Sequence, residues 1–306
     1  MKPWKIGTSY AVAISPDGQR LSTVGRDVSM WDLRTRSKIW RASPLADPAC
    51  TVFSPDGSTL AVKGSSGHII VADVKSGRRL VDFNNMTDGE GSNLRYSTCG
   101  EYIVDATWNG RLMVRTAKSG CTEFAQDFPD EMIQSIHRSA DGKMWVIVHA
   151  CKAISDDAPP APDYFSLWSW PFRSGEFRVL PERVAFSRTS SLLPDGSLLA
   201  VVHGAPPENL SVFQLSDGAC VETVAIQSGG TGHAIGWSAD GQLIGSVQDN
   251  VVVFYAWPSL AKCHEIELAC PSDLAYSLRG DVLVLGSWEE GWVMSQKAPD
   301  AMNLPR

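Results

Sequence analysis

Ala13-Ile14-Ser15-Pro16-Asp17-Gly18-Gln19-Arg20-Leu21, followed by Met30-Trp31-Asp32-Leu33-Arg34-Thr35, is the stretch that decides the fold. An apolar run, a Pro-Asp-Gly punctuation and a second apolar run read as strand, tight turn, strand. Proline presets φ at the first turn position, and glycine accepts the backbone conformation that side chains resist. Val52-Phe53-Ser54-Pro55-Asp56-Gly57-Ser58-Thr59-Leu60-Ala61 repeats the pattern.

The turn glycines then serve as a ruler. Gly18, Gly57, Gly100, Gly142, Gly196, Gly241 and Gly280 are spaced by 39, 43, 42, 54, 45 and 39 residues. Units of about 40–45 residues that each hold several short strands mark a β-propeller. The expectation is therefore an all-β chain, residues 1–306 forming one seven-bladed propeller of four-stranded antiparallel blades. The long step follows from an insertion at Ala150 to Pro162 in the fourth unit. In the fifth unit either Val184 to Ser187 or Ser190 to Leu193 could be the innermost strand; the latter abuts the Pro194-Asp195-Gly196 turn. The seventh unit lacks a fourth strand, because Lys297 to Arg306 holds two prolines and little alternation. Pro3-Trp4-Lys5-Ile6-Gly7 is predicted to supply it, closing the ring and removing an exposed sheet edge.

With 43% hydrophobic and 20% charged residues the chain can bury a full core. A formal net charge of -7 argues against a nucleic-acid binder that works by counterion release, and suits a basic or neutral partner. The seven cysteines are scattered with no Cys-x-x-Cys pair, which favours a reducing compartment. The apolar segment Tyr10 to Ile14 is too short for a signal-peptide core. No run of about 18 apolar residues occurs, so no membrane span is expected. These features together predict a cytoplasmic protein.

The motifs resemble the WD40-repeat family. The Ser-Pro-Asp-Gly turn, the strand ending Met30-Trp31-Asp32-Leu33, and the tails Asp73-Val74-Lys75-Ser76-Gly77 and Leu215-Ser216-Asp217-Gly218 carry the likeness over nearly the whole chain. The chain departs from the pattern in having a Trp-Asp pair only in the first unit, with Ala72-Asp73 in the second and Arg115-Thr116 in the third. Gly232-His233 comes too close to its strand, and Gly67-His68 lies in another turn, so the family's Gly-His pair has no usable counterpart. The Ser-Pro-Asp-Gly turn also occurs in other propellers, and "divergent WD40-like" is the fitting description. The resemblance implies a non-catalytic protein-interaction module whose partner site is the face known in that family as the top.

No catalytic chemistry stands out. His68, His137, His149, His203, His233 and His264 include no pair at helical or strand spacing and no His-Glu-x-x-His, so each reads as a core or surface histidine. There is no Gly-x-Ser-x-Gly elbow. Gly229-Gly230-Thr231-Gly232 has no helix after it to receive a phosphate. The Asp-Gly turns lack the alternating carboxylates of a calcium loop. No catalytic residue, metal or cofactor is expected, although side chains from separate blades could converge at the central channel without a sequence signal.

Strand order sorts the loops onto two faces. Loops assigned to the top carry an excess of carboxylates, among them Asp47, Asp127, Asp130, Glu131, Asp156, Asp157, Asp163, Glu182, Glu208, Asp249, Asp273, Glu289 and Glu290. Loops on the opposite face carry Arg34, Arg36, Lys75, Arg78, Lys118 and Arg279 among others. Trp108 and Trp288 begin top loops, with Phe128 and Tyr164 nearby, and exposed aromatics supply binding hot spots. The residues expected to bind a partner are thus Trp108, Asp130, Glu131, Asp156, Asp157, Tyr164, Glu208, Trp288, Glu289 and Glu290. The expected partner is a basic protein or peptide, for instance an enzyme or toxin held inactive, steered by charge. The alternatives are an enzyme with a site at the channel mouth, or a permanent structural subunit that uses the flat sides.

Overall fold

The computed structural model describes residues 2–83, 91, 93–152, 161–227 and 234–295. The repeat read from the turn glycines is the repeat of the structure: seven antiparallel sheets arranged in a ring, six of them built from four consecutive strands and the seventh joining both ends of the described chain. The inner strands are Ala11–Ile14, Pro48–Phe53, Asn93–Tyr96, Glu131–Arg138, Ser187–Leu192, Ile235–Trp237 and Pro271–Tyr276. Each packs beside the inner strand of the next blade, and the last packs beside the first, so the ring is closed.

The Ser-Pro-Asp-Gly turn shows why the repeat is stable. Gly18, at φ 67°, donates its N–H to the Ser15 carbonyl at 2.8 Å. The Ser15 hydroxyl donates to Asp17 Oδ1 at 2.5 Å and accepts the Arg20 N–H at 2.9 Å, while Asp17 Oδ1 also accepts the Gln19 N–H at 3.0 Å. Serine and aspartate therefore satisfy the backbone that the turn would leave bare. Ser54 with Asp56, Ser139 with Asp141, and Ser238 with Asp240 repeat the bond. In the third blade Cys99 takes the aspartate's place beside Ser97.

The seventh blade is completed as the sequence predicts. Val282–Ser295 is one extended run whose first part pairs with Pro271–Tyr276 and whose second part pairs with the N-terminal strand Trp4–Ser9. Trp4 lies opposite Val293 and Lys5 opposite Trp292, and Ile6 is buried beneath them. In the fifth blade the inner strand is Ser187–Leu192, three residues longer at its start than Ser190 to Leu193, and Val184 closes the outer strand Phe177–Val184 of the blade before.

Polar side chains on the inner strands tie consecutive blades together. Asn93 Nδ2 donates to the Gln134 carbonyl at 2.9 Å, and Asp273 Oδ2 accepts the Val12 N–H at 2.8 Å. Each spans from one blade to the next. A second tie recurs on the top face. Asp47, Asp130, Phe186 and Cys270, each immediately before an inner strand, all have positive φ. Their carbonyls accept N–H groups from Ser65, Lys152, Gly204 and Trp288, respectively, in the loops between second and third strands. The inner strand that follows then shifts register by one residue in each of these four blades. This latch ties the start of each of these four loops or hairpins to the residue that precedes the inner strand.

Candidate functional site

The antiparallel order of every blade places the loops between second and third strands, and the loops between blades, on one face. That face holds the described residues among those singled out from the sequence, but the structure assigns them unequal roles. Asp156 and Asp157 lie outside the described residues.

At the seam of blades 7 and 1, Trp288 is 53% exposed. Its indole stacks on Tyr10 with ring centres 4.4 Å apart and planes 23° from parallel. The Tyr10 hydroxyl donates to the Pro48 carbonyl at 2.5 Å, and burial raises its pKa, so the phenol stays neutral. The Trp288 backbone N–H donates to the Cys270 carbonyl at 3.0 Å, which fixes the main chain that carries the indole. The indole is thus exposed but fixed in place. Glu289 beside it is exposed, and Thr8 anchors its carbonyl at 3.2 Å. Glu290 is committed elsewhere, its carboxylate 2.7 Å from Lys5 Nζ.

The carboxylates of blades 4 and 5 behave differently. Glu131 Oε2 lies 2.8 Å from His149 Nδ1, and both Glu131 oxygens accept the Tyr164 hydroxyl at 2.9 Å. His149 Nε2 lies 2.7 Å from Ser166 Oγ, which also accepts the Trp168 indole N–H at 2.9 Å. The carboxylate on Nδ1 fixes the proton there, leaving Nε2 to accept from the serine. Burial works to raise the Glu131 carboxyl, but the bonds from His149 and Tyr164 outweigh it and hold it below its ordinary value. Burial depresses His149, overcoming the carboxylate beside it.

Hydroxyl, imidazole and carboxylate stand here in the order of a catalytic triad. Ser166 and His149 are nevertheless fully buried, and the indole N–H occupies the serine oxygen. No substrate atom can reach that oxygen. The cluster ties strands of blade 4 together, with Tyr164 stacked on His149 at 4.3 Å and Arg183 over the same tyrosine ring at 5.1 Å. Glu131 and Tyr164 are therefore internal partners first.

Glu208 is buried and lies 3.3 Å from Arg188 Nε. Asp163 is also buried, accepting N–H groups from Cys151 and Ser187. Asp127 lies 3.4 Å from Arg111, and Asp27 pairs with Arg41. Several carboxylates of the expected acidic face are thus sealed or paired, with cations from strand ends that the loop inventory did not count. Asp47, Asp130, Glu182, Asp249 and Glu289 remain exposed without an ion pair among the described residues.

The aromatics divide in the same way. Trp108 is 37% exposed at the blade 3 top loop, three blades away from Trp288 around the ring. Phe128 is buried against His149, Trp168 and Phe177, so it belongs to the core. Phe186 went unnoticed in the sequence, yet it is 47% exposed with φ 51°. A bulky residue in the left-handed region is strained, and such strain concentrates at functional positions. Only the ambiguity of the fifth unit's start hinted at it. A cleft on the opposite face, around Met144, Leu167, Arg178 and Leu215, has its polar wall spent: Arg178 donates to the Leu215 and Ser216 carbonyls at 2.7 and 2.9 Å.

Comparison with protein-family models returns no match, and comparison with curated proteins returns none.

Proposed function

We propose that this propeller is a divergent WD40-like, non-catalytic interaction module of the cytoplasm. It binds a basic segment of a protein partner on its top face, at the seam of blades 7 and 1. The observation that carries this reading is Trp288, an exposed indole held rigid by the Tyr10 stack and the Cys270 latch. Fixed aromatics give contact area at little entropic cost, which is why they dominate interface hot spots. A lysine or arginine laid over the indole gains a cation–π contact, and Glu289 beside it supplies the opposite charge. The WD40-like assignment has support in blade 1, where Trp31 Nε1 donates to Thr23 Oγ1 at 3.2 Å and Asp32 caps the Thr35 N–H at 2.7 Å.

The test is binding of an array of synthetic peptides graded in lysine and arginine content, read by fluorescence polarisation. Wild type should prefer the basic peptides. Trp288→Ala and Glu289→Lys should each weaken binding at least tenfold while circular dichroism stays unchanged; Glu289→Lys should keep the thermal midpoint, and Trp288→Ala should lose only the Tyr10 stack, about 0.5–1.5 kcal/mol. Glu289 is the better charge to reverse, because Glu290 is tied to Lys5. Binding that ignores peptide charge, or that survives both substitutions, refutes the site.

A further inference from the structure

The inner strands carry a residue two positions before each turn, and most of these are small: Ala13, Val52, Ser191, Gly236 and Ala275. Blade 4 has His137 there, buried, with Nε2 2.8 Å from Ser190 Oγ. Blade 3 has Arg95, the one charged side chain among the seven. Space for an arginine near the axis exists because its neighbours around the ring are short.

Arg95 is solvent-accessible, although desolvation by the surrounding protein lowers its pKa, and among the described residues its one side-chain hydrogen bond runs from Nη1 to the Leu94 carbonyl at 2.8 Å. No carboxylate lies within ion-pair distance of it among the described residues. Groups from blades 2, 4 and 7 nevertheless surround it closely enough to interact electrostatically: Cys50, His137, Arg138 and Asp273. Burial pushes the Cys50 thiol up to about 11 and His137 down to about 3, so both are uncharged at neutral pH. Arg138 adds a second positive charge, its Nη1 bonded to the Tyr96 carbonyl at 2.6 Å. Asp273, on the far side of the ring, is the opposing charge. Its two oxygens are taken by the Val12 and Leu274 N–H groups, each at 2.8 Å. The channel wall at this level is therefore net positive, and beyond the Nη1 bond to Leu94 the remaining guanidinium N–H groups have no acceptor among the described residues.

We propose that Arg95 forms, within the axial channel, a binding site for a small oxyanion, either a carboxylate or a phosphate group. A guanidinium presents paired N–H donors in the geometry that such groups accept, and in a confined channel a charge-assisted bond is stronger than on an open surface. Arg138 stands by to share the charge. The site lies one residue from the end of its strand at Tyr96, towards the face with the Asp-Gly turns, and is independent of the peptide site at Trp288.

The experiment is isothermal titration and thermal shift of the full chain with sodium acetate and, separately, sodium phosphate, against sodium chloride at equal ionic strength. Wild type should bind at least one of the two and gain thermal midpoint over the chloride control. Acetate alone would identify a carboxylate site, phosphate alone a phosphate site, and both a site for either. Arg95→Met should weaken binding tenfold or more, and Arg95→Lys, which keeps the charge but loses the fork, should fall between. If Arg95→Met does not fold, Arg95→Gln takes its place, with circular dichroism as the check. A wild type that responds to neither anion beyond chloride, or a variant that binds as wild type does, overturns the proposal.

Discussion

Lys63 Nζ lies 2.5 Å from Asp105 Oδ1, joining the second strands of blades 2 and 3, and both side chains are sealed from solvent. The ammonium also donates to the Ala106 carbonyl at 2.9 Å. Breaking a buried pair by removing one partner leaves the other charge stranded, at a cost of about 3–5 kcal/mol. Lys63→Met should therefore lower unfolding free energy by about that much in a urea titration. In a double-mutant cycle with Asp105→Leu the two losses should be non-additive by about 1–3 kcal/mol. Additive losses would show that the pair is energetically uncoupled.

Glu131 offers a clean separation of binding from stability. Its carboxylate closes the network of His149, Ser166 and Tyr164, so Glu131→Gln should cost about 1–3 kcal/mol, the penalty for leaving a buried polar group badly matched. Peptide binding at Trp288 should be unchanged. A variant of native stability that loses binding would place Glu131 at the interface instead.

The ring was legible because backbone geometry repeats locally. Gly18 and its counterparts must take positive φ, and serine and aspartate must satisfy the same turn, so the code recurs every 40 or so residues. The N-terminal strand was legible for a related reason: a blade missing a strand and a strand without a blade can be matched. Side-chain partners were not legible, because they cross blades. Lys63 meets Asp105 at a separation of 42 residues, one repeat apart on equivalent strands, but the turn code that sets the repeat says nothing about which second-strand side chains carry opposite charges. The acidic top face was inferred by sorting loops alone. Lys5, Arg41, Arg111 and Arg188 sit on strands whose ends reach the same face, and they pair with carboxylates that had been counted as free or not counted at all.

Acid should destabilise the fold from about pH 6.5 downwards. Burial depresses His137 to about 3 and lowers His149 and His203, so the unfolded chain holds more protons than the folded one once pH falls below 6.5. That stability is present near neutrality and is lost as pH falls through the window. Asp273 acts in the opposite sense. Burial raises it to about 6, so between about pH 6 and its unfolded value the folded state takes the proton more readily and gains stability as pH falls. Asp273→Asn removes this counterweight. Its stability should decline more steeply than that of wild type between pH 6 and 4, as measured by chemical denaturation at stepped pH. Parallel curves would show that Asp273 titrates normally.

The N-terminal strand should decide whether the ring holds. Trp4–Ser9 covers the edge of Val282–Ser295, buries Ile6, and brings Trp4 within 5.6 Å of Trp31 in blade 1, ring centre to ring centre. Ile6→Ala should cost about 2–5 kcal/mol, the range for truncating a buried aliphatic side chain. Deleting residues 1–7 removes that contact together with the strand's hydrogen bonds, so its loss should be larger and the thermal midpoint lower still. The bared edge should also promote association, since an unpaired strand is a template for another chain. Light scattering would detect those aggregates, and a synthetic peptide of residues 1–10 added in trans should suppress them and raise the midpoint. A truncated protein as stable and monomeric as wild type would mean that the seventh blade stands without its fourth strand, and that closure rests on packing between inner strands alone.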